Sequence, residues 1–297
     1  MNETNIITAI NKIVDNNFLG DDCAYLKDLG IVVTQDSLVE DIHFKREWYS
    51  PEELGYKSVA VNISDIFASG AEPKYVTISL SMANNVEENF VEEFYIGAKK
   101  ALHGAQIVGG DITGSRDKVF ISITAIGSDK NRKISSRKNA KEGYAVITKG
   151  NFGSSSAGLN ELINNGHNFD LINAHKCPIL EENFSKQIAE SIDVDYAMMD
   201  TSDGLADALF KIAEASGVSI SVDFDKIPHL AGIDKKQVLF GGEDYKLIAA
   251  IPEDFLPKVE GAVVIGRVNK YNGIRLDISG TKYNLYEELD VFNHFNN

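Results

Sequence analysis

Met198-Met199-Asp200-Thr201-Ser202-Asp203-Gly204-Leu205 places two carboxylates three residues apart where an apolar strand turns into a helix. Tyr196 to Met199 is short, apolar and strand-like. Leu205, Leu209, Ile212 and Ala213 then recur at helical spacing until Gly217 supplies a left-handed stop. Asp200 and Asp203 are therefore expected at a strand-to-helix junction. Free backbone N–H groups at a helix start favour phosphate, and carboxylates beside them can hold a hard cation bridging that phosphate. The plainer alternative is that Ser202 or Asp203 caps the helix, which is the commoner fate of such residues.

Composition narrows the surroundings of this junction. The chain has 297 residues, 43% of them hydrophobic, enough for two ordinary α/β cores. Its formal net charge of −15 argues against a nucleic-acid partner or an anionic membrane surface. If phosphates bind such a chain, divalent cations must invert the local field. Cys23 and Cys177 stand far apart, without a CxxC or a nearby ligand histidine, so neither a zinc site nor a disulfide framework is indicated. Met1 to Asn16 carries Glu3 and an amphipathic pattern, which reads as a first helix rather than a targeting peptide. No apolar run approaches the roughly 20 residues that span a bilayer. The expectation is a two-domain α/β cytoplasmic protein.

Further acids recur in distinctive settings. Gly20-Asp21-Asp22-Cys23-Ala24 is a tight acidic turn, and the strand that follows runs into Thr34-Gln35-Asp36-Ser37, read as its end. His43 follows in a polar stretch and decides nothing alone. Ser50-Pro51-Glu52-Glu53 carries an N-cap, a first-position proline and a capping box, predicting a helix to about Ser69. Val59, Ile63, Ile66 and Phe67 form its apolar stripe, while Asn62, Asp65 and Ser69 share another face. Asp65 stands out because its surroundings are nearly free of charge.

Tyr75 to Met82 reads as a strand and Val86 to about His103 as a helix. Gln106 to Thr113 reads as a buried strand whose Gly109-Gly110 pair lets backbone approach a ligand beside Asp111. Lys130 to Glu142 is a basic cluster at the boundary of the halves, from which Arg137 could reach a nucleotide phosphate. Gly150 to Gly158 leads into a helix but follows neither the P-loop nor the GxGxxG order. Ile172 to Leu180, with Pro178, reads as irregular. Gly241-Gly242-Glu243-Asp244-Tyr245 repeats the pairing of glycines with acids, and the aromatic tail around Phe292 is expected to pack on the body or a ligand.

Asp22, Asp36, Asp65, Asp111, Asp200 and Asp203 make a hard-metal pattern, for which Mg²⁺ with substrate phosphates completing its shell is the natural occupant. No Ser-His-Asp or Cys-His order is apparent. In this order, Gly20-Asp21-Asp22-Cys23-Ala24, Asn62-Ile63-Ser64-Asp65, Gly109-Gly110-Asp111, Asp200 to Leu205 and Gly241 to Tyr245 resemble the thiamine-monophosphate kinases. These belong to the superfamily of aminoimidazole ribonucleotide synthetase and selenophosphate synthetase. The resemblance covers essentially the whole chain. It implies Mg²⁺- and ATP-dependent phosphorylation of thiamine monophosphate to thiamine diphosphate by a homodimer of two-domain α/β (α+β) chains. Residues 1–137 would bind metal and ATP and pair their sheet across the dimer, and residues 138–297 would close over nucleotide and substrate.

By matching position, the resemblance implies metal roles for Asp22, Thr34, Gln35, Asp36, Asp65, Asp111, Asp200 and Asp203. It implies nucleotide contacts for Gly110, Asp111, Arg137 and Ser202, and substrate contacts for His43, Glu243 and Phe292, the last by stacking. Gln35 stands where the family usually has a hydroxyl residue, so its implied contact is one for backbone oxygen. His103 stands where a tyrosine is frequent, and no adenine contact is carried over to it. The alternatives are another ATP-using member of the superfamily, or a nucleotide- or metal-binding protein without turnover. No glycine-rich segment with a reactive cysteine precedes Gly20, unlike selenophosphate synthetases.

Overall fold

The computed structural model describes residues 3–14, 18–87 and 89–291. Among them two sheets form. The first is five-stranded, in the order β1-β2-β5-β3-β4, from β1 (Ala24–Leu26), β2 (Ile31–Val39), β3 (Glu72–Ala83), β4 (Gln106–Ser115) and β5 (Phe120–Ser128). Its pairs are antiparallel except β3 with β4. Helix α1 (Glu3–Val14) precedes the sheet, and α2 (Pro51–Ala68) and α3 (Phe90–Lys100) follow in sequence. The expected capping box is present: Ser50 Oγ accepts from Glu53 N, and Glu53 Oε2 accepts from Ser50 N. Alternation places Val32, Thr34, Asp36 and Leu38 of β2 on the face toward α2, while Gln35 turns outward to Ser122 and Thr124.

The second sheet is seven-stranded, in the order β12-β11-β8-β10-β6-β9-β7. Its strands are β6 (Ala145–Thr148), β7 (Ala197–Asp200), β8 (Ser219–Val222), β9 (Leu247–Ile251), β10 (Val263–Asn269), β11 (Leu276–Ile278) and β12 (Thr281–Tyr283). The helices of this half are α4 (Ser154–Ile163), α5 (Phe169–Lys176), α6 (Glu182–Ser191), α7 (Leu205–Ser216) and α8 (Lys235–Phe240). Strands β6, β7 and β9 are buried on both faces, and their alternation divides them between two cores. Ile147, Met198 and Ala249 join the core of the first sheet, α2 and α6, whereas Val146, Met199 and Ile248 join that of α7 and α8. The site-bearing end of β7 is thereby fixed from both sides.

Several expectations are corrected. Thr34 to Ser37 lie inside β2, not at its end, because pairing with β5 continues through Val39. Strand β4 is an exposed edge rather than a buried strand, with Val108 and Ile112 each more than half exposed. Its Gly110 is required by β3: an added Cβ would lie 1.8 Å from the Ile78 carbonyl oxygen. Residues 172–176, the first part of the segment expected to be irregular, belong to α5. Asn168 caps that helix by accepting from Leu171 N, and Pro178 only follows its end. Helix α3 stops at Lys100, short of His103. No helix of the described residues is long and apolar enough to cross a membrane.

Candidate active site

Strand β7 delivers Asp200 to its end almost fully buried, and Ser64 Oγ donates to Asp200 Oδ2 at 2.6 Å. Asp65, on the preceding residue's helix, accepts from Thr34 Oγ1 at 2.6 Å. Asp22 leaves the acidic turn toward the same point and accepts from Arg137 Nη2 at 2.7 Å. Its neighbour Asp21 has a different task, accepting from Arg137 N and Ser136 Oγ and so fixing the segment that carries the guanidinium. Asp22, Asp65 and Asp200 each offer an oxygen within 4.8 Å of the others.

Like charges this close are costly in a desolvated site. Burial, then Asp22, pushes Asp200 up to about 7. Burial, then Asp203, raises Asp36 to about 6, and burial followed by Asp36 and Asp200 lifts Asp65 well above the usual carboxylate range. Asp200 Oδ1 is buried without a hydrogen-bond partner. An orphaned carboxylate oxygen among converging acids fits a hard divalent cation. Gly204, with φ +109°, stands at the N-cap of α7 and no side chain caps the helix, so neither Ser202 nor Asp203 spends its oxygen on it.

Asp22, Asp36, Asp65, Arg137, Ser202 and Asp203 line one cavity of about 1150 Å³ with His43 and Glu243. Val39 N donates to His43 Nδ1 at 3.0 Å, which fixes the neutral ring's proton on Nε2. Glu243 holds a left-handed backbone, φ +64°, and its N–H donates to Ser202 O at 2.7 Å, tying the two acidic loops together. Lys57, fully buried on α2, reaches Glu243 Oε2 at 3.1 Å and Tyr49 Oη at 2.9 Å. His175 of α5 lies 3.4 Å from the same Glu243 oxygen and 3.0 Å from Ser155 Oγ. Burial opposes ionisation of Glu243, yet Lys57, by its charge and its hydrogen bond, holds the carboxyl below its ordinary value.

The structure thus brings together Asp22, Thr34, Gln35, Asp36, Asp65, Arg137, Ser202, Asp203, His43 and Glu243 around the cavity, with Asp200 on the carboxylate cluster. Gly110 and Asp111, on the far edge strand β4, are not brought to it. Phe292 lies outside the described residues. The glycine-serine loop before α4 is closed to phosphate, since Asp244 already accepts from Gly153 N and Ser155 N. Lys57, His175 and Lys211 were missed. Lys57 alone left a trace in the sequence, as a single charge entering the uncharged run Ser58 to Ser64.

A carboxylate-lined cavity between two α/β sheets has the character of a cation-assisted phosphate site, and residues 20–128 match the family AIR synthase related protein, N-terminal domain. The thiamine-monophosphate kinase of Aquifex aeolicus is 32% identical, over 93% of this chain and 94% of its own. That of Bacillus subtilis is 34% identical, over 93% of each. The structure of AaThiL complexed with AMPPCP and TMP superposes with a TM-score of 0.89 at 32% identity, covering 99% of this chain and 97% of that one. The chain belongs to the thiamine-monophosphate kinase family.

Proposed function

We propose that this chain transfers the terminal phosphoryl group of ATP in line to the phosphate of thiamine monophosphate, giving thiamine diphosphate, with Mg²⁺ in the carboxylate cluster. The observation that carries this is the convergence of Asp22, Asp65 and Asp200, one of whose oxygens is orphaned, beside a cavity holding His43 and Glu243. The relatives named for this activity support it, as does the likeness to a structure complexed with AMPPCP and TMP.

In this reading Asp22, Asp36, Asp65, Asp200 and Asp203, with Thr34 and the backbone oxygen of Gln35, hold the cations. When bound, Mg²⁺ supplies neutralisation of phosphate charge and templating of donor and acceptor. Arg137, Ser202 and the open start of α7 take nucleotide phosphates, while His43, Glu243 and Phe292 take the acceptor. The acceptor needs no general base, because a phosphate monoester is already ionised above a second pKa of about 6. Residues 1–137 supply most of the cation set and residues 138–297 cover it, in a cytoplasmic enzyme.

The homodimer belongs to the same proposal. Its support is the exposed edge of β4, where Val108 and Ile112 await cover and from which Gly110 and Asp111 would serve the site of a second copy. Incubating the protein with ATP, Mg²⁺ and a panel of phosphorylated acceptors tests the activity: a product other than thiamine diphosphate, or none, overturns it. Mixing inactive Asp111→Asn with inactive Asp200→Asn chains tests the sharing, with recovery to about a quarter of the wild-type rate expected from mixed dimers. Failure to recover any activity counts against it.

A further inference from the structure

Lys211 stands one helical turn beyond Asp207 on α7, at the cavity wall. Its Nζ lies 3.2 Å from Asp203 Oδ2 and 2.9 Å from Asp207 Oδ2. Asp207 is fully buried, and Tyr286 Oη donates to its Oδ1 at 2.6 Å. The remaining oxygen, Oδ2, forms the ion pair with Lys211 but makes no directed hydrogen bond. The ammonium is therefore splayed between two carboxylates, one a buried anchor and the other an acid facing the cavity. About a third of the Lys211 side chain remains exposed there.

We propose that Lys211 is the counter-ion of Asp203 in the cation-free protein and a phosphate contact once cation and nucleotide are bound. The inference rests on the reading above and adds a residue which that reading does not use. An ammonium and a divalent cation on the same carboxylate repel one another, so a cation taken by Asp203 displaces Lys211. Asp207, held by Tyr286, keeps the displaced ammonium at the wall. Its freed donors then need acceptors, and the nearest new ones are the phosphate oxygens brought in with the cation. Arg137, whose Nε is buried without a hydrogen-bond partner, faces the same cavity and gives the phosphates a second cationic neighbour.

Two affinities should therefore move in opposite directions when the charge is removed. Calorimetry on the full chain with Mg²⁺ alone, and with AMPPCP in saturating Mg²⁺, would compare wild type with Lys211→Met and Lys211→Gln. Tighter binding of Mg²⁺ alone, by several-fold, together with nucleotide binding weakened about tenfold, is the expected result. Glutamine can hydrogen-bond both aspartates, so it should show the same opposed changes if the methionine variant does not fold. Both affinities weakening together would indicate a merely structural lysine and overturn the inference, as would no change in either. A wild-type chain binding neither Mg²⁺ nor AMPPCP would instead overturn the reading beneath, and this inference with it.

Discussion

The two walls of the cavity use the same functional group in opposite ways. On one, Asp36, Asp65 and Asp200 are crowded together, and their pKa values rise with burial and mutual repulsion. On the other, Glu243 is part-buried and desolvated too, but the Lys57 ammonium holds its pKa below the ordinary value. The first wall has an unmet demand for positive charge. The second carries its own. A carboxylate's surroundings, rather than its identity, thus separate a place for an external cation from a charge built to stay fixed and ionised.

Breaking the first wall should have the largest effect. Asp200→Asn removes the acid with the orphaned oxygen, and turnover should fall about 10²-fold or more, the scale of losing one centre of transition-state charge stabilisation. Chelation should nearly abolish ATP binding, while Glu47→Gln, at an exposed loop position, should leave both unchanged. Steady-state rates and calorimetry check this. Equal ATP affinity with and without Mg²⁺ would erase the contrast between the walls.

On the second wall, Lys57→Met leaves Glu243 charged and poorly compensated. Breaking a buried ion pair costs about 3–5 kcal/mol, and the part-exposed Glu243 side chain places the loss toward the lower figure. Denaturant unfolding would measure it. Lys57→Arg, which keeps a cation, should recover part of the stability, and acceptor KM should rise more than kcat falls. A Lys57→Met protein as stable as wild type would show that Glu243 does not depend on that ammonium.

The first wall was far more legible than the second, for a physical reason. Asp22, Asp65 and Asp200 announce themselves locally, each beside a glycine turn, an uncharged helix run or a strand-to-helix junction. Their convergence needed only the expectation that such places share one end of a fold. Lys57, His175 and Glu243 come from α2, α5 and a loop far apart in sequence, and nothing local says that they meet. Pro178 obscured α5, and with it His175, because proline disfavours helix at its own position while also commonly following a helix end. The Gly109-Gly110 reading failed differently: a glycine demanded by a neighbouring strand looks the same in sequence as one demanded by a ligand. The strand order of both sheets, set by long-range pairing, was not legible at all.

His175 sharpens the contrast through pH. Burial first, and the Lys57 ammonium second, push its pKa down to about 3, with Glu243 opposing and Lys176 adding to the fall. The unfolded chain, with an ordinary histidine near 6.5, binds more protons between about pH 3 and 6.5, so stability from this group is complete above about 6.5 and is lost on acidification. His175→Asn should remove that dependence, narrowing the loss between pH 6.5 and 5 by at most about 2 kcal/mol. Parallel unfolding curves for wild type and variant across this window would contradict a neutral, buried His175.

His43 gives the smallest expected effect and separates positioning from proton transfer. The Val39 amide occupies Nδ1, so the neutral ring presents a donor, not a base, at Nε2. An acceptor phosphate ionised above about pH 6 has no proton to give up, so a donor is the useful group to meet it. Asparagine can accept from the same amide through its side-chain oxygen. His43→Asn should therefore keep turnover near the wild-type value while weakening acceptor affinity about tenfold, the worth of one charge-assisted hydrogen bond. In both proteins the rate at saturating thiamine monophosphate should fall below about pH 6 and stay level through neutrality, because the titrating group belongs to the acceptor. Turnover lowered about 10²-fold or more with affinity unchanged would make His43 a general base and require a different protonation state of its ring.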